Sequence, residues 1–128
     1  MAAPVTGDFD CEEVYKRQLT ANDIKERSRL YINKSAALKF CPEAFDHPLE
    51  DQTYRMDLRF CDTSFNPMPM AFLRRDKKSY LIGGWRDFVE ANQLGPGDII
   101  RIHVLEHKRN GVRFFMIGRV QVMGILIG

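Results

Sequence analysis

Tyr54-Arg-Met-Asp-Leu-Arg-Phe60 decides the fold class. Apolar and charged residues alternate there, so Tyr54, Met56, Leu58 and Phe60 fall on one side of an extended chain and Arg55, Asp57 and Arg59 on the other. Successive side chains of a strand point to opposite faces, and a period of two therefore marks a strand with one face buried. Outward from it, residues 62–67 collect Asp, Ser, Asn and Pro and read as a turn, after which residues 68–73 return as the next strand. Residues 14–19, 30–32 and 80–82 are short apolar runs that read as three more strands. Residues 99–105 are β-branched and apolar, with Arg101 and His103 expected on the alternate, polar face. Asn110-Gly111 signals a hairpin, and residues 112–120 supply the closing strand.

Two segments break this pattern. Asn33 is placed to cap a short helix over Lys34–Phe40, which Pro42 stops. Trp85, Phe88, Val89 and Asn92 recur at helical spacing, so residues 85–93 read as an amphipathic helix ended by Gly95-Pro96-Gly97. Seven short strands and two short helices predict a mainly β chain, an antiparallel barrel. The length of 128 residues, 45% hydrophobic and 28% charged, suits one domain with a real core. Its expected extent is residues 12–120, after a flexible lead-in of residues 1–11 and before an apolar tail of residues 121–128. No apolar run approaches the roughly 20 residues of a membrane helix, and no membrane partner is expected.

Catalytic signals are sparse, and the reading is a binding module rather than an enzyme. There is no Gly-x-Ser-x-Gly elbow and no glycine-rich phosphate loop, so neither a cofactor nor a small-molecule substrate is expected. His103 and His107 are four apart, a spacing for metal ligands on a helix, but their stretch alternates like a strand; no metal is expected. Cys11, Cys41 and Cys61 are scattered and odd in number, which argues against a disulfide framework and for a reducing compartment. Net charge is only +2, yet it is segregated. Residues 16–39 carry seven bases against Asp23 and Glu26, a local +5, and Arg74, Arg75, Lys77 and Lys78 surround Asp76, a local +3. Between them residues 40–73 stand at −4. Basic islands on loops of a β-scaffold suit a polyanion such as double-stranded DNA. Asp23 and Asp98 read instead as turn formers bonding their own backbone, and Trp85 as core.

Leu19-Thr-Ala-Asn-Asp-Ile24, followed by Arg29-Leu-Tyr-Ile-Asn-Lys34, resembles the signature of the plant B3 DNA-binding domain family. In that signature a Lys precedes a hydrophobic-Thr-x-Ser-Asp-Val run, and Arg-Leu-x-Ile-Pro-Lys follows; Lys16 stands for the early Lys. Tyr80-Leu-Ile-Gly-Gly-Trp-Arg-Asp-Phe-Val89 looks like the family's Tyr-x-Leu…Gly-Trp-x-x-Phe-Val block, and Leu94-Gly-Pro-Gly-Asp-Ile99 is similar to its Leu-x-x-Gly-Asp-Val turn. The resemblance implies an open seven-stranded barrel that grips the DNA major groove with two arms, as part of a nuclear transcriptional regulator. It places Thr20, Asn22, Lys25, Glu26, Arg27, Ser28 and Arg29 in the first arm and Arg74, Arg75, Lys77 and Lys78 in the second. Both basic islands fall on those arms. The sequence departs from the pattern at Asn22 (usually Ser), Asn33 (usually Pro) and Glu26 (often Lys). A carboxylate repels phosphate unless it accepts from a cytosine amino group. Glu26 and the low net charge therefore leave a second reading, a protein-interaction module of the same fold with weak DNA binding. Other transcriptional regulators are further candidate partners.

Overall fold

The structure, a computed structural model, describes residues 7–25, 29–45 and 53–120. Along the chain run β1 (Phe9–Gln18), α1 (Ala21–Ile24), β2 (Leu30–Ile32), α2 (Lys34–Phe40), a 3-10 turn (Pro42–Phe45), β3 (Tyr54–Cys61), β4 (Pro67–Arg75), β5 (Lys78–Gly83), α3 (Trp85–Ala91), β6 (Ile99–His107) and β7 (Arg113–Arg119). The strands form one seven-stranded sheet in the order β1-β6-β7-β3-β4-β5-β2. Because β1 and β2 are its two edges, the barrel is open along that seam. A side chain clasps the seam: the Tyr15 hydroxyl donates to the Tyr31 carbonyl at 2.8 Å.

The seven expected strands are present, and Tyr54, Met56 and Leu58 are half-buried while Arg55, Asp57 and Arg59 are exposed. Three features differ from expectation. The strand expected at residues 14–19 begins at Phe9 and takes in Phe9, Asp10 and Cys11. Its register slips between Glu13 and Tyr15, a bulge that lets the adjacent Val14 and Tyr15 both be buried. One ladder is parallel rather than antiparallel: β3 meets β7 through Phe60–Phe115 and Cys61–Met116. A third helix, α1, is present within the first arm.

Leu30, Ile32, Phe72, Leu81, Trp85, Ile100, Ile102 and Ile117 line the barrel interior with almost no exposed surface. The Asn33 side chain accepts from the Ala36 amide at 2.9 Å and caps α2, whose Ala36, Ala37 and Phe40 complete one end of the core. Helix α3 closes another side through Trp85, Phe88 and Val89. Its entry needs two glycines. Gly83 has φ +83, and a Cβ on Gly84 would collide with the Pro69 carbonyl. Gly95 and Asp98 bond reciprocally after the helix, the Gly95 amide donating to the Asp98 carboxylate at 2.8 Å, so Asp98 is a turn former.

A second, smaller cluster of Cys61, Leu105 and Met116 lies outside the main core, packed by Phe9, Cys11 and Phe114. It explains why the β6 pattern misleads. Arg101 is on the polar face, paired with Glu13 at 2.7 Å, but His103 is buried. Burial holds the His103 imidazole below its usual range, against the nearby Glu13, and Arg101 reinforces the shift. Burial also pushes the Cys41 and Cys61 thiols up to about 11, so both are packing groups rather than thiolates.

Two tests follow from this packing. Trp85→Ala removes a fully buried indole and should cost about 3–5 kcal/mol in urea unfolding. His103 has a lowered folded pKa, so the unfolded chain takes up its proton first as pH falls. Stability should therefore be intact well above about pH 6.5 and decline below it. His103→Gln should flatten that part of the profile, measured by urea unfolding between pH 7.5 and 5.5.

Candidate nucleic-acid interface

The first arm is rooted by a buried carboxylate. Asp23 sits at the third position of α1 and is 3% exposed. One of its oxygens accepts from the Thr20 amide at 2.8 Å and the Thr20 hydroxyl at 3.1 Å. The Arg17 guanidinium donates to both oxygens, at 3.1 and 3.2 Å. The Asp23 carbonyl accepts the indole N–H of Trp85 at 2.7 Å. One residue thus ties the start of the arm to β1 and to the core Trp. The charged partner of Asp23 is therefore Arg17, six residues earlier on β1.

The second arm is a two-residue hairpin. Arg75 pairs with Lys78 across β4 and β5, and Asp76 and Lys77 between them have φ of 52° and 67°. Positive φ at both central residues is the turn whose twist matches a tight hairpin. Arg74 lies beneath this tip. Its guanidinium rests on the Phe45 ring at 4.2 Å and reaches the Ser79 hydroxyl at 3.4 Å.

Register joins the arms. In β2, Leu30 and Ile32 point into the barrel, so Arg29 and Tyr31 point out. Tyr31 stands directly opposite Tyr80, and Lys78 shares the outer face of β5 with Tyr80, with Arg75 beside it on β4. The Arg29 guanidinium lies 4.2 Å from the Tyr80 ring centre. The Tyr31 and Tyr80 rings meet edge-on at 6.1 Å, and Arg17 approaches the Tyr31 ring at 5.7 Å. The outer face of β2, β5 and β4 is therefore a strip of arginine, tyrosine and lysine that runs from one arm to the other.

The structure brings together Arg29, Arg75 and Lys78 on this strip, with Thr20, Asn22 and Lys25 exposed in the first arm and Lys77 at the tip of the second. Arg74 is half-buried under the tip rather than on the strip. Lys16 is exposed on β1, next to but on the opposite face from Arg17, so alternation turns it away from the Asp23 hub. Glu26, Arg27 and Ser28 lie outside the described residues. The sequence reading missed Arg17, Tyr31 and Tyr80. The signal for Arg17 was its spacing from Tyr15 on one strand face. Tyr31 and Tyr80 were the outward members of two alternating strands, but nothing local in the sequence reveals that they face each other.

An open seven-stranded barrel with two loops bracketing one basic outer face is the architecture of a two-armed binding module. Residues 15–120 match the family model described as the B3 DNA binding domain, and the chain belongs to that family. An AP2/ERF and B3 domain-containing transcription factor of Arabidopsis thaliana is 26% identical over 108 residues, covering 80% of this chain. The match takes in 31% of that relative, so the chain spans about a third of its length. Among solved structures, an Arabidopsis FUS3-DNA complex superposes with a TM-score of 0.62 at 18% identity, covering 87% of this chain and 99% of that one. An Arabidopsis thaliana transcription factor LEC2-DNA complex gives 0.61 at 15% identity, covering 88% and 97%. A hypothetical Arabidopsis thaliana protein gives 0.51 at 20% identity, covering 90% and 95%. At these identities the likeness is one of fold.

The hub can be tested by substitution. Asp23→Ala leaves Arg17 and the Thr20 amide without their acceptor. The loss should fall near the lower end of the roughly 3–5 kcal/mol of a broken buried pair, since the Arg17 side chain is 25% exposed and water recovers part of its charge. Urea unfolding gives the magnitude, and faster amide exchange at residues 20–24 would show that the arm's root has loosened.

Proposed function

We propose that this chain binds double-stranded DNA sequence-specifically, through the strip between its two arms, as the DNA-reading part of a nuclear transcriptional regulator. The observation that carries this reading is the placement of Arg29, Lys78 and Arg75 on one outer face with an arm at each end. Family membership supports it independently. A duplex major groove is about 12 Å wide and admits a two-stranded ribbon, which suits the narrow hairpin of the second arm. Arg75 and Lys78, among the described residues, make no ion pair, so their charge is available to phosphate. The first arm supplies the shorter polar groups Thr20 and Asn22 together with Lys25.

Selection from random duplexes tests the function as a whole. Enrichment of one motif supports it, and its absence returns the interaction-module reading. The phosphate role has its own test. Arg75→Ala and Lys78→Ala should each lower the salt slope of binding by about 0.9 and weaken all duplexes alike. Arg74→Ala should change the slope less and lower the melting temperature, because that guanidinium rests on Phe45. Fluorescence anisotropy titrations across salt concentrations and a thermal melt separate the two.

A further inference from the structure

Among the described residues of the two arms, Arg29 is the cation that is both exposed and placed over an aromatic ring. Arg17 has its charge satisfied by the buried Asp23 carboxylate. Arg74 is stacked on Phe45 but half-buried and turned to Ser79. Arg75 and Lys78 are exposed with no aromatic platform among the described residues. Arg29 combines both properties: it is exposed, and its guanidinium is stacked on Tyr80 at 4.2 Å. No carboxylate pairs with it among the described residues.

An arginine that only neutralises phosphate has no need of a fixed plane, since charge alone does that work. One that reads guanine presents two parallel N–H groups to O6 and N7, so the orientation of its plane matters. Stacking on a ring fixes that plane while leaving the N–H edge unoccupied, and reduces the conformational freedom lost on binding. Tyr80 is itself held. It lies in β5 opposite Tyr31, whose ring meets it edge-on at 6.1 Å, and Tyr31 is held through its carbonyl by the Tyr15 hydroxyl.

On the DNA-binding reading above, we propose that Tyr80 is a positioning residue that orients Arg29 to read one base pair, guanine on one strand, with Tyr31 buttressing the ring. The ring face is the working part. Phe should therefore substitute for Tyr80, whereas Leu, apolar and tolerated in a strand, should not.

Binding profiles over duplexes substituted at each position of the selected motif test this, with wild type, Arg29→Ala, Tyr80→Phe and Tyr80→Leu compared. Arg29→Ala should abolish a preference of about tenfold or more for guanine at one position. Tyr80→Leu should weaken the preference at that same position and leave the others, in a protein that still folds, while Tyr80→Phe keeps the wild-type profile. In the free protein the Arg29 side-chain protons should show an upfield ring-current shift by NMR that Tyr80→Leu removes. A Tyr80→Leu protein that is folded, has lost that shift and keeps the full wild-type profile overturns the proposal. So does a uniform loss across all duplexes with the profile intact. A parent chain that prefers no duplex overturns the DNA-binding reading itself, a result distinct from these.

Discussion

A carboxylate with 3% exposure is tolerable only if its charge is paired and its oxygens are hydrogen-bonded. The Asp23 carboxylate meets that requirement with groups from two parts of the chain, and its backbone ties in a third. Arg17 comes from an edge strand and Thr20 from the turn before α1, while its own carbonyl takes the indole N–H of α3. The first arm cannot shift without breaking bonds in the core, nor can Trp85 leave the core without freeing the arm. Arg17 is doubly placed, since it also borders Tyr31 at the open seam. The seam clasp, the arm and the α3 helix are thus parts of one polar network set against an otherwise apolar interior.

Much of the fold was legible because a half-buried strand writes its orientation into its sequence. Tyr54 to Phe60 alternates, and its exposure follows. Asn33 and the spacing of Trp85, Phe88 and Val89 announced two helices for equally local reasons. What was lost was non-local or too short. The four residues of α1 are fewer than any periodicity can register. His103 sits on the face that alternation assigns to solvent, yet it is buried there, paired in register with Met116 of a second cluster assembled from β1, β3, β6 and β7. The parallel meeting of β3 with β7 depends on how the barrel curls.

The candidate site was legible as charge and illegible as geometry. Two basic islands marked the two arms, and Arg29, Arg75 and Lys78 do share a face. Composition could not separate them from Arg74, whose charge is spent on Phe45 and Ser79 under the hairpin. Nor could it find the tyrosines that join the islands. They are ordinary strand residues until the β2–β5 register sets one beside the other.

The second arm turns on two residues, Asp76 and Lys77, both already in the left-handed region. One residue added to a single strand would rotate the side chains beyond it to the opposite face, sending Lys78 or Arg75 toward the interior. Unless a bulge like that of β1 or a longer turn takes up the added residue, length variation in this hairpin is therefore quantised. It preserves the outer strip only when residues enter in matched pairs, one on each strand and two at a time along it. Evolution, or an engineer extending the arm to reach further along a groove, faces a parity rule at this point that the first arm, with no strand ladder of its own, does not impose.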